Sequence, residues 1–281
     1  MRKISILVFA IAVLSCGSDD TPGTTNLVFD DLELLTQDMG GEQTAIPLRN
    51  SGTHYGYHMY EPSGYATDEE SYPLLIYLHG ISDLGDPVQQ NNLDLVLRNG
   101  PPKMINEGSW DPRFPMLVAS PQIFSTDLDW QPNQLHEFIE HLETKYRVNP
   151  ERIYITGISI GGVGIFEYLR NLGSRQKAAA VVPIAGAGAE MLVSTISDVH
   201  IWAFHGEDDR VIPFERGSKP MVDAINASKP KHRALVTTYP GVGHDAWTMT
   251  YDESGMGKEN ARNDPFNTSV FDWMFNRKQE Q

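Results

Sequence analysis

Six continuous apolar runs, each closed by glycine or proline, organise this chain: "YPLLIYLHG" (72–80), "PMLVASP" (115–121), "RIYITG" (152–157), "AAAVVPIAG" (178–186), "HIWAFHG" (200–206) and "ALVTTYPG" (234–241). Apolarity that does not alternate marks strands covered on both faces, so the runs predict a largely parallel sheet. Parallel strands need crossover connections, and helical spacing fills the intervals. It is clearest over 131–147, where Leu135, Phe138, Ile139, Leu142 and Tyr146 make one stripe and Glu137, Glu140, Glu143 and Lys145 fall mostly off it. Further helices are expected over 160–172, 214–228 and 266–276. The alternating stretch "HYGYHMYEPSGY" (54–65) reads as an early strand at a sheet edge, stopped by Pro62, Ser63 and Gly64. No repeat or interdomain linker breaks the pattern, and 281 residues suit one domain.

The first residues follow a different rule. Arg2 and Lys3 precede an apolar stretch from Ile4 to Leu14 that is too short to span a bilayer, which is a secretory signal pattern. It ends in "VLSCG", and Cys16 is the single cysteine of the chain. The stretch resembles a bacterial lipobox, which implies a signal over 1–15, acylation of Cys16, a polar tether over 16–25 and a catalytic domain over 26–281. The expected location is export, with anchoring as a lipoprotein of the cell envelope. One cysteine allows no internal disulfide, so stability must come from the core.

Charge narrows the partners. The formal net charge is −15, from 22 basic and 37 acidic residues; without Arg2 and Lys3 it is 20 − 37 = −17. So acidic a chain, with no basic cluster, repels nucleic acid and anionic headgroups, leaving the lipid at Cys16 as the expected membrane contact.

The chemistry concentrates in "RIYITGISIGGVGIF" (152–166). A buried strand followed by a helix puts Ser159 on a sharp turn at the strand's C-terminal end, where side chains two positions away would collide with neighbouring backbone. Gly157 and Gly161 remove those collisions, and Gly162 lets the helix approach the sheet. The turn projects the hydroxyl and leaves the N–H of Ile160 at a helix start, suited to a developing anion. Such a serine needs a base and an orienting acid, and later strand ends offer Asp208 or Asp209 in "FHGEDDRVIP" and His244 in "YPGVGHDAW".

These motifs resemble the serine esterases of the α/β-hydrolase superfamily, close to single-domain relatives of prolyl oligopeptidase and to secreted feruloyl and polyhydroxyalkanoate esterases. The resemblance runs from about Tyr55 to Phe275 and implies the α/β-hydrolase fold, a mostly parallel sheet with helices on both faces. It puts the acid on Asp209, with Asp208 as the alternative, and the base on His244. It places the second oxyanion N–H in "YLHGISDLGD", on Ile81. The implied reaction is hydrolysis of carboxylic esters on polysaccharides or other short, accessible substrates, without a cofactor. A serine peptidase and a non-catalytic surface binding protein of the same fold are the competing readings. Dienelactone-type hydrolysis ranks lower, since those enzymes carry cysteine as nucleophile.

Other residues carry less. Gln122, Trp130 and Trp110 lie in loops after strands, where substrate contacts are commonly made, and Trp247 either walls the pocket or anchors the histidine loop. His79 and His205 read as turn or supporting residues. His136 and His141 are five apart on a helix and point apart, so no metal site is expected.

Overall fold

The apolar runs pair into one sheet in the structure, a computed structural model that describes residues 29–86, 92–189, 196 and 199–279. The leader, Cys16 and the tether lie outside the described residues. The strands are β1 (Glu42–Ile46), β2 (Gly56–Glu61), β3 (Tyr72–Leu78), β4 (Leu117–Gln122), β5 (Val148–Ile158), β6 (Ala180–Ile184), β7 (His200–Gly206) and β8 (Leu235–Tyr239), in spatial order β1-β2-β4-β3-β5-β6-β7-β8. The first two pairings, β1 with β2 and β2 with β4, are antiparallel and the rest are parallel. The stretch expected at the edge is therefore not at the edge. β2 is covered by β1, whose polar "EQTAI" gives no apolar run.

The helices are α1 (Asp30–Glu33), α2 (Leu48–Ser51), α3 (Gly100–Glu107), α4 (Pro132–Lys145), α5 (Ile160–Leu172), α6 (Ser218–Ala227), α7 (Trp247–Tyr251) and α8 (Val270–Phe275). Alternation along β5 shows how they layer. Tyr154 meets Phe275 of α8 edge-on, and the Thr156 hydroxyl lies 2.7 Å from that of Tyr251 in α7. The opposite face receives α5, which packs on β5, β6 and α4 and reaches α6 where Gly188 is pressed between Met221 and Phe166. Ile153, Tyr154 and Ile155 are each fully buried, which is why that run shows no polar alternation.

After β3 the chain first builds β4 on one side and then β5 on the other. The order reverses there, and crevices at the C-terminal ends of strands beside such a reversal are where open α/β sheets bind ligands.

The opposite end of the sheet is locked by charge. Arg152, 1% exposed in its side chain, donates from Nε to Asp31 Oδ2 (2.6 Å) and from Nη2 to Asp31 Oδ1 (2.9 Å), while Asn149 and Lys278 also reach Asp31. Burial opposes ionisation of Asp31, but Arg152 and Lys278 more than offset it and hold the carboxyl at about 2. The α1 segment is thereby pinned to the start of β5.

Two imidazoles, one buried and one half-buried, set an acid limit on stability. Burial pushes His79 down to about 4; burial and the stacked His232 ring, 3.8 Å away, push His200 down to about 3. The unfolded chain takes these protons near the ordinary imidazole value while the folded chain does not, so stability must fall as pH drops from about 6.5 toward 4. His79 alone accounts for about 3 kcal/mol of that loss, or on the order of 10 °C in Tm for a chain of this size. The Asp31 contribution is lost lower, between 3.8 and about 2. Melting curves from pH 8 to 4 check this; a flat Tm would refute it.

Candidate active site

Ser159 stands between β5 and α5 with φ 54° and ψ −118°, a backbone conformation that L-residues avoid. Packing explains why it persists. Its N–H donates to Ile184 O (2.9 Å), and a Cβ on Gly161 would sit 2.0 Å from Leu78 O. One on Gly157 would sit 2.8 Å from the Gly161 carbonyl carbon, so the turn closes only where both positions lack a side chain.

Ser159 Oγ lies 2.9 Å from His244 Nε2, and His244 Nδ1 lies 2.7 Å from Asp209 Oδ2. Of the two candidate acids, Asp209 is buried against His244, while Asp208 is exposed. Asp209 Oδ1 accepts the N–H of Val211 (2.8 Å) and of Ile212 (2.9 Å). Burial works against the Asp209 charge; the bonds from His244, Ile212 and Val211 more than offset it and hold the carboxyl below its ordinary value. Since Asp209 can only accept, Nδ1 carries the proton and Nε2 turns its lone pair to the serine.

His205 supports the acid from below. It is fully buried, its Nε2–H donates to Ile212 O (2.8 Å) and lies 3.3 Å from Asp209 Oδ2, and Ser218 Oγ meets Nδ1 at 2.9 Å. Burial lowers its pKa and keeps it neutral, so it offers Asp209 a donor without a competing cation.

The two N–H groups expected to face an oxyanion follow the ends of β5 and β3. Ile160 is the first residue of α5 and Ile81 the first of a 3₁₀ turn (Ile81–Asp83), so neither N–H has an acceptor within its own helix. His79 fixes the direction of the second. The Ile123 N–H donates to His79 Nε2 (3.1 Å), which puts the ring proton on Nδ1, from where it donates to Gly80 O (2.7 Å). In a trans peptide the N–H points opposite to the carbonyl, so holding Gly80 O aims the Ile81 N–H away from His79.

Of the residues singled out for substrate contact, Gln122 ends β4 and does not lie in a loop. Gln122 is buried and donates to Asp83 O (2.9 Å) and Asn92 O (3.0 Å), bracing the oxyanion turn from beneath. Trp130 is buried edge-on against His79 (5.0 Å between rings), with its indole N–H toward His79 O. Trp247 is half-buried, edge-on to His244 at 5.3 Å, with its N–H on Asn99 Oδ1 (3.2 Å). Trp110 lines a cavity of about 570 Å³ beside α7 with Asn99, Met104, Thr248 and Phe271; neither Ser159 nor His244 borders it. No group of three or more His, Cys, Asp or Glu side chains among the described residues is arranged to hold a metal ion.

Asn99 and Asp83 are the residues here that the sequence did not single out. Asn99 drew no reading because "GPP" after it reads as a loop, and Asp83 is one acid within "GISDLGD".

Several known proteins are similar to this chain. Carboxylesterase SOBER1 of Arabidopsis thaliana is 28% identical over 193 residues, covering 61% of this chain and 82% of its own. The crystal structure of a thermostable esterase aligns with TM-score 0.60 and 25% identity, over 85% of this chain and 63% of that one, so this chain spans under two thirds of its length. A dienelactone hydrolase structure from Klebsiella pneumoniae shares the fold at TM-score 0.53 and 14% identity, over 79% of this chain and 93% of that one. Residues 123–277, more than half of the chain and including Ser159, Asp209 and His244, match the Dienelactone hydrolase family. With serine at the turn, the chain belongs to the dienelactone hydrolase family of α/β-hydrolases and with it to the carboxylic ester hydrolases.

Proposed function

We propose that this protein is an exported serine esterase, held at the membrane through an acylated Cys16, that cleaves short, accessible esters such as acyl groups on polysaccharides. The observation that carries the reading is the unbroken line of Ser159, His244 and Asp209 at 2.9 and 2.7 Å.

In this reading Ser159 Oγ attacks the acyl carbon while His244 Nε2 takes its proton, and the imidazolium is held by Asp209. The tetrahedral oxygen receives the N–H groups of Ile160 and Ile81. Collapse breaks the carbon–alcohol oxygen bond, His244 returns the proton to the leaving alcohol, and the acyl group stays on Ser159. Water, deprotonated by the same imidazole, then releases the acid. Ile81 and Val211, 59% and 68% exposed beside the oxyanion N–H and the acid, support an acyl group that meets apolar surface without deep burial. The bifunctional acetylxylan esterase/xylanase XynS20E of Neocallimastix patriciarum, 24% identical over 169 residues, supports a polysaccharide ester; the match covers 60% of this chain and 23% of that protein. No helix among the described residues is long and apolar enough to cross a membrane.

The test is hydrolysis of p-nitrophenyl esters from acetate to octanoate, with methyl ferulate alongside, and mapping of a fluorophosphonate adduct. Turnover that declines with acyl length, and an adduct on Ser159, are expected. No turnover of any ester and no adduct would overturn the esterase reading.

A further inference from the structure

Asn99 occupies the N-cap position of α3 with extended backbone, where an asparagine side chain ordinarily bonds to its own helix, yet it makes no capping bond. Its amide is spent elsewhere. Nδ2 donates to Asp83 Oδ2 (3.1 Å) and Oδ1 accepts from the indole N–H of Trp247 (3.2 Å). Asp83 closes the turn that Ile81 opens, is fully buried, and takes the Ser82 hydroxyl on its other oxygen (2.9 Å). Trp247 opens α7 and sets its ring edge-on, at 89°, to His244.

The chemistry of the link is specific. An indole N–H only donates and an ionised carboxylate only accepts, and a carboxamide serves both at once. The backbone beneath it is fixed as well: Gly100 has φ +63°, and a Cβ there would lie 2.5 Å from the Tyr77 ring of β3. Asn99 is therefore a bridge between two loops, mounted on the sheet.

We infer that Asn99 is a positioning residue that ties the oxyanion turn to the histidine loop, so that the Ile81 N–H and the His244 imidazole are held in one frame. Asn99 touches no reacting atom. The inference rests on the proposed roles of Ile81 and His244, where the two charges of the transition state appear together, one on the acyl oxygen and one on the imidazole. Loss of the tie then lowers kcat more than it changes KM.

The experiment compares Asn99→Leu, Trp247→Phe and the double variant by kcat and KM on p-nitrophenyl acetate, and by the downfield proton resonance of His244 Nδ1–H. Asn99→Leu is expected to lower kcat about tenfold with KM within about twofold, and to shift the imidazole resonance. Trp247→Phe keeps a ring on His244 but breaks the same tie, so the double variant should be no slower than the slower single one. Values of kcat within twofold of wild type and an unmoved resonance would overturn the inference. If Asn99→Leu does not fold, Trp247→Phe decides alone by the same two readouts. A wild type that turns over no ester would sink the esterase reading, and the resonance would still decide the tie.

Discussion

Asp209→Asn should lower kcat/KM for a p-nitrophenyl ester by about 10⁴-fold near neutral pH while leaving Tm nearly unchanged. The reason lies in which oxygen is already committed. Oδ1 accepts two backbone N–H groups, from Val211 and Ile212, so the new carboxamide keeps its oxygen there and turns its NH₂ toward His244. That NH₂ donates to Nδ1, which must give up its proton, and the imidazole proton moves to Nε2. The nitrogen 2.9 Å from Ser159 Oγ then carries a hydrogen and cannot accept another. A variant within tenfold of wild type would mean that another group orients His244, contrary to the geometry.

Gly161→Ala is the second large effect, and here both stability and activity go. The added Cβ would lie 2.0 Å from Leu78 O, 2.7 Å from Leu78 C and 3.0 Å from His79 O, all backbone, so no side chain can swing aside. Either α5 lifts from the sheet or the end of β3 moves. Overpacking of this kind costs at least about 3 kcal/mol, or on the order of 10 °C in Tm. The displaced segment leads straight into Gly80 and Ile81, so any folded fraction should also lose oxyanion stabilisation, with kcat down about 100-fold. Thermal melts and ester kinetics on the soluble protein check both; a variant with wild-type Tm would show that the elbow tolerates a methyl group.

The parts of this fold that could be read from sequence are those where burial is two-sided. β3 and β5 to β7 show as apolar runs because helices cover both faces. β1 does not, since "EQTAI" alternates weakly at an exposed edge, and its invisibility made β2 look like the edge. α3 escaped for another reason: "GPP" reads as a loop, although a proline in the first helical turn gives up only an N–H that has no helical acceptor anyway. Ser159, Asp209 and His244 could be picked out because each sits in a short motif at a strand end, and the structure brings them together. The residues that brace them could not. Asn99 finds Asp83 16 positions away and Trp247 148 positions away, and no local pattern announces such a meeting. Gln122, expected in a loop, is the last residue of β4, and only the direction of the polar side-chain atoms shows that Gln122 braces the Ile81–Asp83 turn and Trp130 the His79 carbonyl.

The clamp of Arg152 on Asp31 also fixes an orientation. It pins the first described segment at the start of β5, and Ser159 lies seven residues further along that strand, roughly 23 Å away at about 3.3 Å per residue. The first described segment therefore enters the fold at the end of the sheet remote from the serine, so an anchor such as the one proposed on Cys16 would join the domain on the side opposite its mouth.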